Sequence, residues 1–391
     1  MPHARQTIYS LPQSARLRIS RATRLMLIAP HPDDEALACG VLLQRITRAG
    51  GAVRVLYVTD GDNNPWPQRA LERKWRLSQR DRRRWGRVRR IEAIRALRLL
   101  GVPRRHTEFL QWPDQGLSEL LLRECDACVE ILRAAVTAWG PTLLLVPAIS
   151  DTHADHNALG VMLRFAQQDL HPDLPALRVW SYSVHGRHTT FLREASAIPH
   201  TATEIATKLS AIHCHKTQIA LSRRRFTAYA KRAERFRELS IREPKIETTS
   251  IVPRLEPAAA ITLQLRVPFS PFPAETHLFI AAVDAVARRA RCLRVQLPPR
   301  SSDVSLIDCS TGRCLATLAF RGNAFAGELT IPPSLFCRTR AFFAKLVRGR
   351  IRRSVWIEID PSPRRAADLL PIEETRGRPT RLAAEAARSI A

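Results

Sequence analysis

The chain has 391 residues, more than one domain usually holds, so two domains are expected. A hydrophobic content of 45% is ordinary for a globular protein and allows a full core. The formal net charge is +26, carried by 62 basic residues of which all but six are arginine. No helix-turn-helix, zinc-finger or RNA-binding signature accompanies that charge, so nucleic acid is not an expected partner. The densest basic run, Arg80 to Arg90, reads as a solvated helix face, with an anion-binding patch as the alternative. No 18-residue apolar segment occurs, so no transmembrane helix is expected. The stretch from Met1 through Arg21 lacks the apolar run of a secretory signal, which predicts a cytoplasmic protein. Eight cysteines are scattered along the chain. Cys125 and Cys128 form a CxxC inside a helical pattern, which reads as reduced thiols on a packed face.

From Leu25 to about Val184, short β-like runs alternate with longer helical ones. Strands are predicted at Arg24–Ala29, Ala52–Thr59, Thr107–Leu110, Thr142–Pro147 and Arg178–Val184. Helices are predicted at Glu35–Arg48, Arg84–Leu100, Ser118–Trp139 and Ala154–Gln168. Such alternation predicts an α/β, Rossmann-like, mostly parallel sheet with flanking helices. The turn-rich segment Asp60–Pro67 reads as a loop at the end of the second strand. Thr203–Ile212 and Thr217–Leu239 read as further helices. Near Pro244–Pro253 the texture changes to short alternating runs separated by turn signals, which predicts a C-terminal β-rich, sandwich-like domain. Its strands are expected at Ala260–Val267, His277–Ala282, Cys292–Gln296, Val304–Asp308, Cys314–Phe320, Glu328–Ile331 and Val355–Ile359. The expected division is therefore an extension over 1–21, a catalytic domain over 22–245, a small β-rich domain over 246–360 and a tail over 361–391.

Two clusters carry the chemistry. His31-Pro32-Asp33-Asp34-Glu35 follows the apolar run Leu25–Ile28, and His153-Ala154-Asp155-His156 follows Leu143–Val146. Strand-to-helix turns are where an open α/β sheet presents reactive groups. A catalytic zinc takes three protein ligands and leaves one position open. His31 and Asp34, three residues apart at a helix start, with His156 from the second cluster, supply such a set. The metal would lower the pKa of a bound water to about 7 and polarise a carbonyl. Asp33, the carboxylate left over, suits a general base. His153 is the extra imidazole, with Asp155 available to orient it, and can stabilise an oxyanion or protonate a leaving amine. Read singly, Pro-Asp-Asp-Glu is also a good helix opening; both clusters after apolar strands favour the metal.

The same residues resemble the PIG-L/LmbE-like family of zinc-dependent de-N-acetylases. The matching motifs are Pro30 to Glu35, Thr59-Asp60-Gly61, Arg89 to Glu92, Leu100 to Val102, Pro113-Asp114 and His153 to His156. Lys208, Ala211 and His215 to Gln218 resemble its closing helix motif, so the likeness spans roughly 22–220. The resemblance implies a Rossmann-like fold, Zn2+ or another divalent metal such as Fe2+, and removal of an N-acetyl group from an N-acetylglucosamine-type sugar or glycoconjugate by a zinc-activated water. It matches His31, Asp34 and His156 to ligands, Asp33 to the base, His153 to the oxyanion or acid histidine and Asp155 to its orienting partner. Arg89 and Asp114 fall at positions associated with substrate contacts; a helix salt bridge to Glu92 and a turn cap are the plainer readings. Some members carry a tyrosine two residues before the first histidine of the second cluster, where this chain has Asp151. The alternatives are a deacylase of another acylated natural product, or a non-catalytic binding protein for an anionic partner. The intact Asp33, His153 and Asp155 argue against a mere binder.

Overall fold

A computed structural model describes residues 19–170, 172–186, 191, 195–239, 251–255, 261–267, 274–337, 340–349 and 354–359. The predicted linker near 244–253 lies mostly outside the described residues, as do nearly all of the 1–21 extension and the 361–391 tail.

The first sheet is built from β1 (Arg24–Ala29), β2 (Ala52–Thr59), β3 (Thr107–Trp112), β4 (Leu143–Pro147), β5 (Arg178–Tyr182), β6 (Ser196–Ile198) and β7 (Glu234–Glu238). Its order is β3-β2-β1-β4-β5-β7-β6, with the first five strands parallel and β7 and β6 antiparallel to their neighbours. Continuous apolar runs suit β1 and β4 because both faces are covered; every residue of β4 is buried. The flanking helices are α1 (Asp34–Ala38), α2 (Gly40–Arg48), α3 (Pro65–Glu72), α4 (Gln79–Leu99), α5 (Leu117–Trp139), α6 (Ala154–Leu170), α7 (Ala202–Cys214), α8 (Lys216–Ile219) and α9 (Arg223–Lys231). One face of the sheet packs α5 and α6 through Leu121, Val129, Leu159 and Phe165. The other packs α2 and α4 through Val41, Leu42, Ala93 and Leu97. The strand order reverses direction between β1 and β4, so the crevice at their C-terminal ends is the place such sheets use for ligands.

Three local readings are corrected. The helix expected over Glu35–Arg48 breaks at Cys39, whose φ of −128° interrupts the helical run. The loop read at Asp60–Pro67 becomes helical from Pro65, where the proline sits in the first turn. Thr217–Leu239 is not one helix: α8 and α9 are followed by β7. β7 is held because Glu234 offers its carboxylate to the backbone N–H groups of Val41 and Leu42 and to Lys208 Nζ, at 2.7, 3.0 and 2.7 Å. That tertiary demand at the start of α2 overrides the helical periodicity.

The C-terminal strands are β8 (Ile251–Leu255), β9 (Ile261–Arg266), β10 (Thr276–Val283), β11 (Ala290–Leu297), β12 (Arg300–Asp308), β13 (Cys314–Asn323), β14 (Ala326–Ile331), β15 (Phe342–Arg348) and β16 (Ile357–Ile359). They form one nine-stranded antiparallel sheet, β16-β15-β10-β11-β12-β13-β14-β9-β8, curled around its own core of Leu263, Leu278, Leu293, Leu306 and Leu346. Its outer face is not free. Phe279, Ala281, Cys292 and Phe343 join the core under α5 and α6, and Arg164 of α6 makes a buried ion pair with Glu358 of β16 at 2.6 Å. Cys125 and Cys128 lie buried in that same interface as free thiols. Among the described residues, no helix is long and apolar enough to cross a membrane.

Candidate metal centre

The two sequence clusters meet in the crevice between β1 and β4. His31 Nδ1 and Asp34 Oδ2 lie 3.7 Å apart, His156 Nε2 stands 3.4 Å from Asp34 Oδ2, and the two histidine nitrogens are 3.3 Å apart. Tetrahedral bonds of 2.0–2.1 Å place ligand atoms about 3.4 Å apart, so this triangle has the dimensions of a zinc site. Asp34 is buried, and its Oδ1 has no hydrogen-bond partner, as expected of a carboxylate oriented for a cation.

Each histidine is held from behind. His31 Nε2 faces Asp114 Oδ1 and Asp155 Oδ2, both at 3.3 Å. His156 Nδ1 faces Asp151 Oδ2 at 3.4 Å. Carboxylates behind ligand imidazoles fix ring orientation and raise basicity. Burial opposes charge on His31, yet Asp114, Asp155 and Asp34 outweigh it and raise its pKa well above the ordinary value. Burial likewise works against the Asp151 carboxylate, but His156 and His185 hold it well below the usual range.

Asp33 projects from the same turn with φ of 143°, a strained conformation for a residue with a Cβ. The strain is locked from both sides. Glu35 accepts the Asp33 N–H at 3.0 Å and is itself held by His215 Nε2 at 2.7 Å. Arg89 donates to the Pro32 carbonyl at 2.6 Å and to Asp33 Oδ2 at 3.3 Å. Gly61 makes room for it, because a Cβ there would overlap the guanidinium. Burial pushes the Asp33 carboxyl up to about 6, against the pull of Arg89.

His153 stands beside the triangle, its ring 4.8 Å from that of His31. Its Nδ1 lies 3.3 Å from the Asp155 backbone N–H, which donates to it. That leaves the imidazole proton on Nε2. Burial, then the neighbouring His31, His156 and His185, push the His153 pKa down to about 2.

All eight residues singled out from sequence gather here, with some partners exchanged. Asp155 offers its carboxylate to His31 and to the Gln115 and Leu117 N–H groups; its contact with His153 runs through the backbone. Arg89 takes Asp33, Pro32 and Gly61, while Glu92 accepts from Thr217 N–H and hydroxyl. Asp114 supports His31 and accepts the Asn63 N–H at 2.6 Å. Two members were missed. Asp151 was noted only for replacing a tyrosine, and His185 not at all; its Nδ1 lies 3.5 Å from Asp151 Oδ1. The available signal was position: His185 follows β5, whose C-terminal end borders β4.

The centre opens into a cavity of about 690 Å3. His31, Asp33, Asp114, His153, Asp155 and His185 line it, together with residues such as Trp66, Leu221, Phe226 and Tyr229.

Residues 26–166 match the family described as GlcNAc-PI de-N-acetylase, PIG-L. This segment is a PIG-L domain. A curated relative, 2'-N-acetylparomamine deacetylase of Streptomyces fradiae, is 31% identical over 159 residues, covering 37% of this chain and 52% of that protein. The chain thus spans about half the length of that relative. Among solved structures, an N,N'-diacetylchitobiose deacetylase from Pyrococcus horikoshii aligns with a TM-score of 0.43 and 18% identity, over 56% of this chain and 84% of that one. The zinc-inhibited form of teicoplanin deacetylase Orf2 aligns with a TM-score of 0.41 and 19% identity, over 53% and 90%. Both clusters of the centre fall inside the PIG-L domain; His185, His215 and the curled sheet lie beyond it.

Proposed function

We propose that the chain is a metal-dependent hydrolase that removes an N-acetyl group from an amino sugar or glycoconjugate. The observation that carries this reading is the triangle of His31, Asp34 and His156, with Asp33 and His153 beside it, where His31, Asp33 and His153 line a cavity. A divalent metal, zinc by the nitrogen-rich donor set and its spacing, supplies an acidified water and Lewis-acid polarisation when bound. The protein groups divide the remaining work. Asp33, with its pKa raised to about 6, is poised to take the proton from the attacking water. His153 keeps its proton on Nε2 and donates it as a hydrogen bond to the oxyanion that develops on the acyl oxygen. Asp155, Asp114 and Asp151 keep the two ligand imidazoles oriented. Arg89 and Asp114 border the cavity, where sugar hydroxyls reach them.

The deacetylase activity of the paromamine relative favours an amide of an amino sugar over other amides. A role in binding anions alone would leave a strained, buried Asp33 without purpose. We take 22–245 as the catalytic domain and 246–360 as the β-rich domain, sharing the core under α5 and α6. The test is acetate release from 2'-N-acetylparomamine and N,N'-diacetylchitobiose, with metal-stripped protein as the control. Activity on either that is lost with the metal and restored by Zn2+ supports the reading; activity indifferent to metal removal overturns it.

A further inference from the structure

Lys345 lies in the middle of β15 with only 2% of its surface exposed. Among the described residues no carboxylate pairs with it, and burial pushes its pKa down to about 8. Its Nζ donates to Asn157 Oδ1 at 3.3 Å and stands 5.7 Å from the centre of the Trp356 ring. Asn157 is the residue immediately after His156 and is fully buried. Its amide nitrogen donates to the Asp151 carbonyl at 3.1 Å and to the Ser354 carbonyl at 3.4 Å. Two carbonyls on one side and an ammonium on the other leave that amide a single orientation. The amide therefore bridges the first residue of the Asp151–His156 turn, the helix that begins there, and the antiparallel sheet.

We propose that Lys345 is a positioning residue of the metal centre: acting through Asn157, it fixes the Asp151–His156 turn so that His156 Nε2 faces the metal. This rests on reading His156 as a ligand. The path is continuous, because Asp151 also offers its carboxylate to His156 Nδ1. A buried ammonium is costly to keep, and here its direct hydrogen bond goes to the amide that braces a ligand's turn. The curled sheet is then part of the site rather than an appendage. Removing outer support of this kind typically weakens metal binding by about 10- to 100-fold.

The test is the Zn2+ dissociation constant of the full chain, by competition with a chromophoric chelator at pH 7, with the metal-free melting temperature read in parallel. Lys345→Met and Asn157→Ala should each raise the constant about 10- to 100-fold. The double variant should lose no more than the larger single loss, because both act on one path. Lys345→Arg, which keeps a donor, should stay near wild type. Glu358→Gln, which weakens a separate polar bridge between α6 and the sheet, should lower the melting temperature and leave the constant unmoved. An unchanged constant in Lys345→Met overturns the inference, as do additive losses or an equal loss in Glu358→Gln. Should Lys345→Met fail to fold, Asn157→Ala decides: wild-type affinity there overturns the inference equally. A wild-type chain that binds no Zn2+ overturns the ligand reading, and this inference with it. Tight wild-type binding with an indifferent Lys345→Met overturns this inference alone.

Discussion

The two sheets bury polar side chains in opposite ways. At the C-terminal edge of the parallel sheet, His31, Asp33, Asp34, Glu35, Asp114, Asp151, Asp155 and His156 are all buried within two turns and their surroundings. In the curled antiparallel sheet, the buried polar residues described are Thr262, Asp308, Lys345 and Glu358. Two of these stay local: Thr262 bonds Thr330, and Asp308 accepts from Ser310 and Thr311 in its own turn. The other two, Lys345 and Glu358, reach across to Asn157 and Arg164 of α6. Parallel strands all end at one edge, so their turns concentrate functional groups. Antiparallel strands alternate direction, and this sheet contributes its buried polar groups where it touches the helix that starts at the centre.

Substitutions test that contrast. The largest effect is expected at the parallel edge, where His156→Ala leaves two ligands and should cost most of the metal; elemental analysis of the purified variant measures it. Next comes Asp33→Asn, which keeps size and polarity but cannot take a proton. It should slow acetate release by about 10²–10⁴-fold while the metal content stays at the wild-type level. Removing the buried partner of Glu234 by Lys208→Met should destabilise the fold by about 3 kcal/mol in urea titration. An effect of similar size, dependent on pH, is expected in the antiparallel sheet. The folded pKa of Lys345 is about 8 against an ordinary 10.5, so between these values the unfolded chain binds the extra proton. The destabilisation is therefore full below pH 8 and is relieved as pH rises through 8 to 10.5, a gain of roughly 3 kcal/mol. Urea midpoints of wild type and Lys345→Met across that range should converge or cross accordingly, and parallel curves would contradict it.

The same contrast explains what could be read from sequence. The bounds expected for the strands at Arg24–Ala29 and Ala52–Thr59 are the ones observed, because buried parallel strands are mostly apolar runs ended by turns. The two clusters were legible because each sits where such a run stops. Contacts between distant elements were not. The Asp155 carboxylate turns to His31, 124 residues away, and no local pattern encodes that choice over its neighbour His153. β15 escaped prediction because Phe342–Val347 is buried throughout and lacks the alternation of a half-exposed strand. Lys345 inside it is among the largest fully buried side chains. β7 was hidden for the related reason that its Glu and Arg content suits a helix, while Glu234 is recruited by the start of α2.

In the function proposed above, His31, Asp34 and His156 hold one metal in the crevice between β1 and β4. The most direct measurement is a crystal structure of Zn2+-loaded protein with diffraction recorded on both sides of the zinc absorption edge. One anomalous peak is expected within about 2.0–2.2 Å of His31 Nδ1, an Asp34 carboxylate oxygen and His156 Nε2. A peak seated instead among Asp151, His156 Nδ1 and His185, or no peak in the crevice, would contradict it.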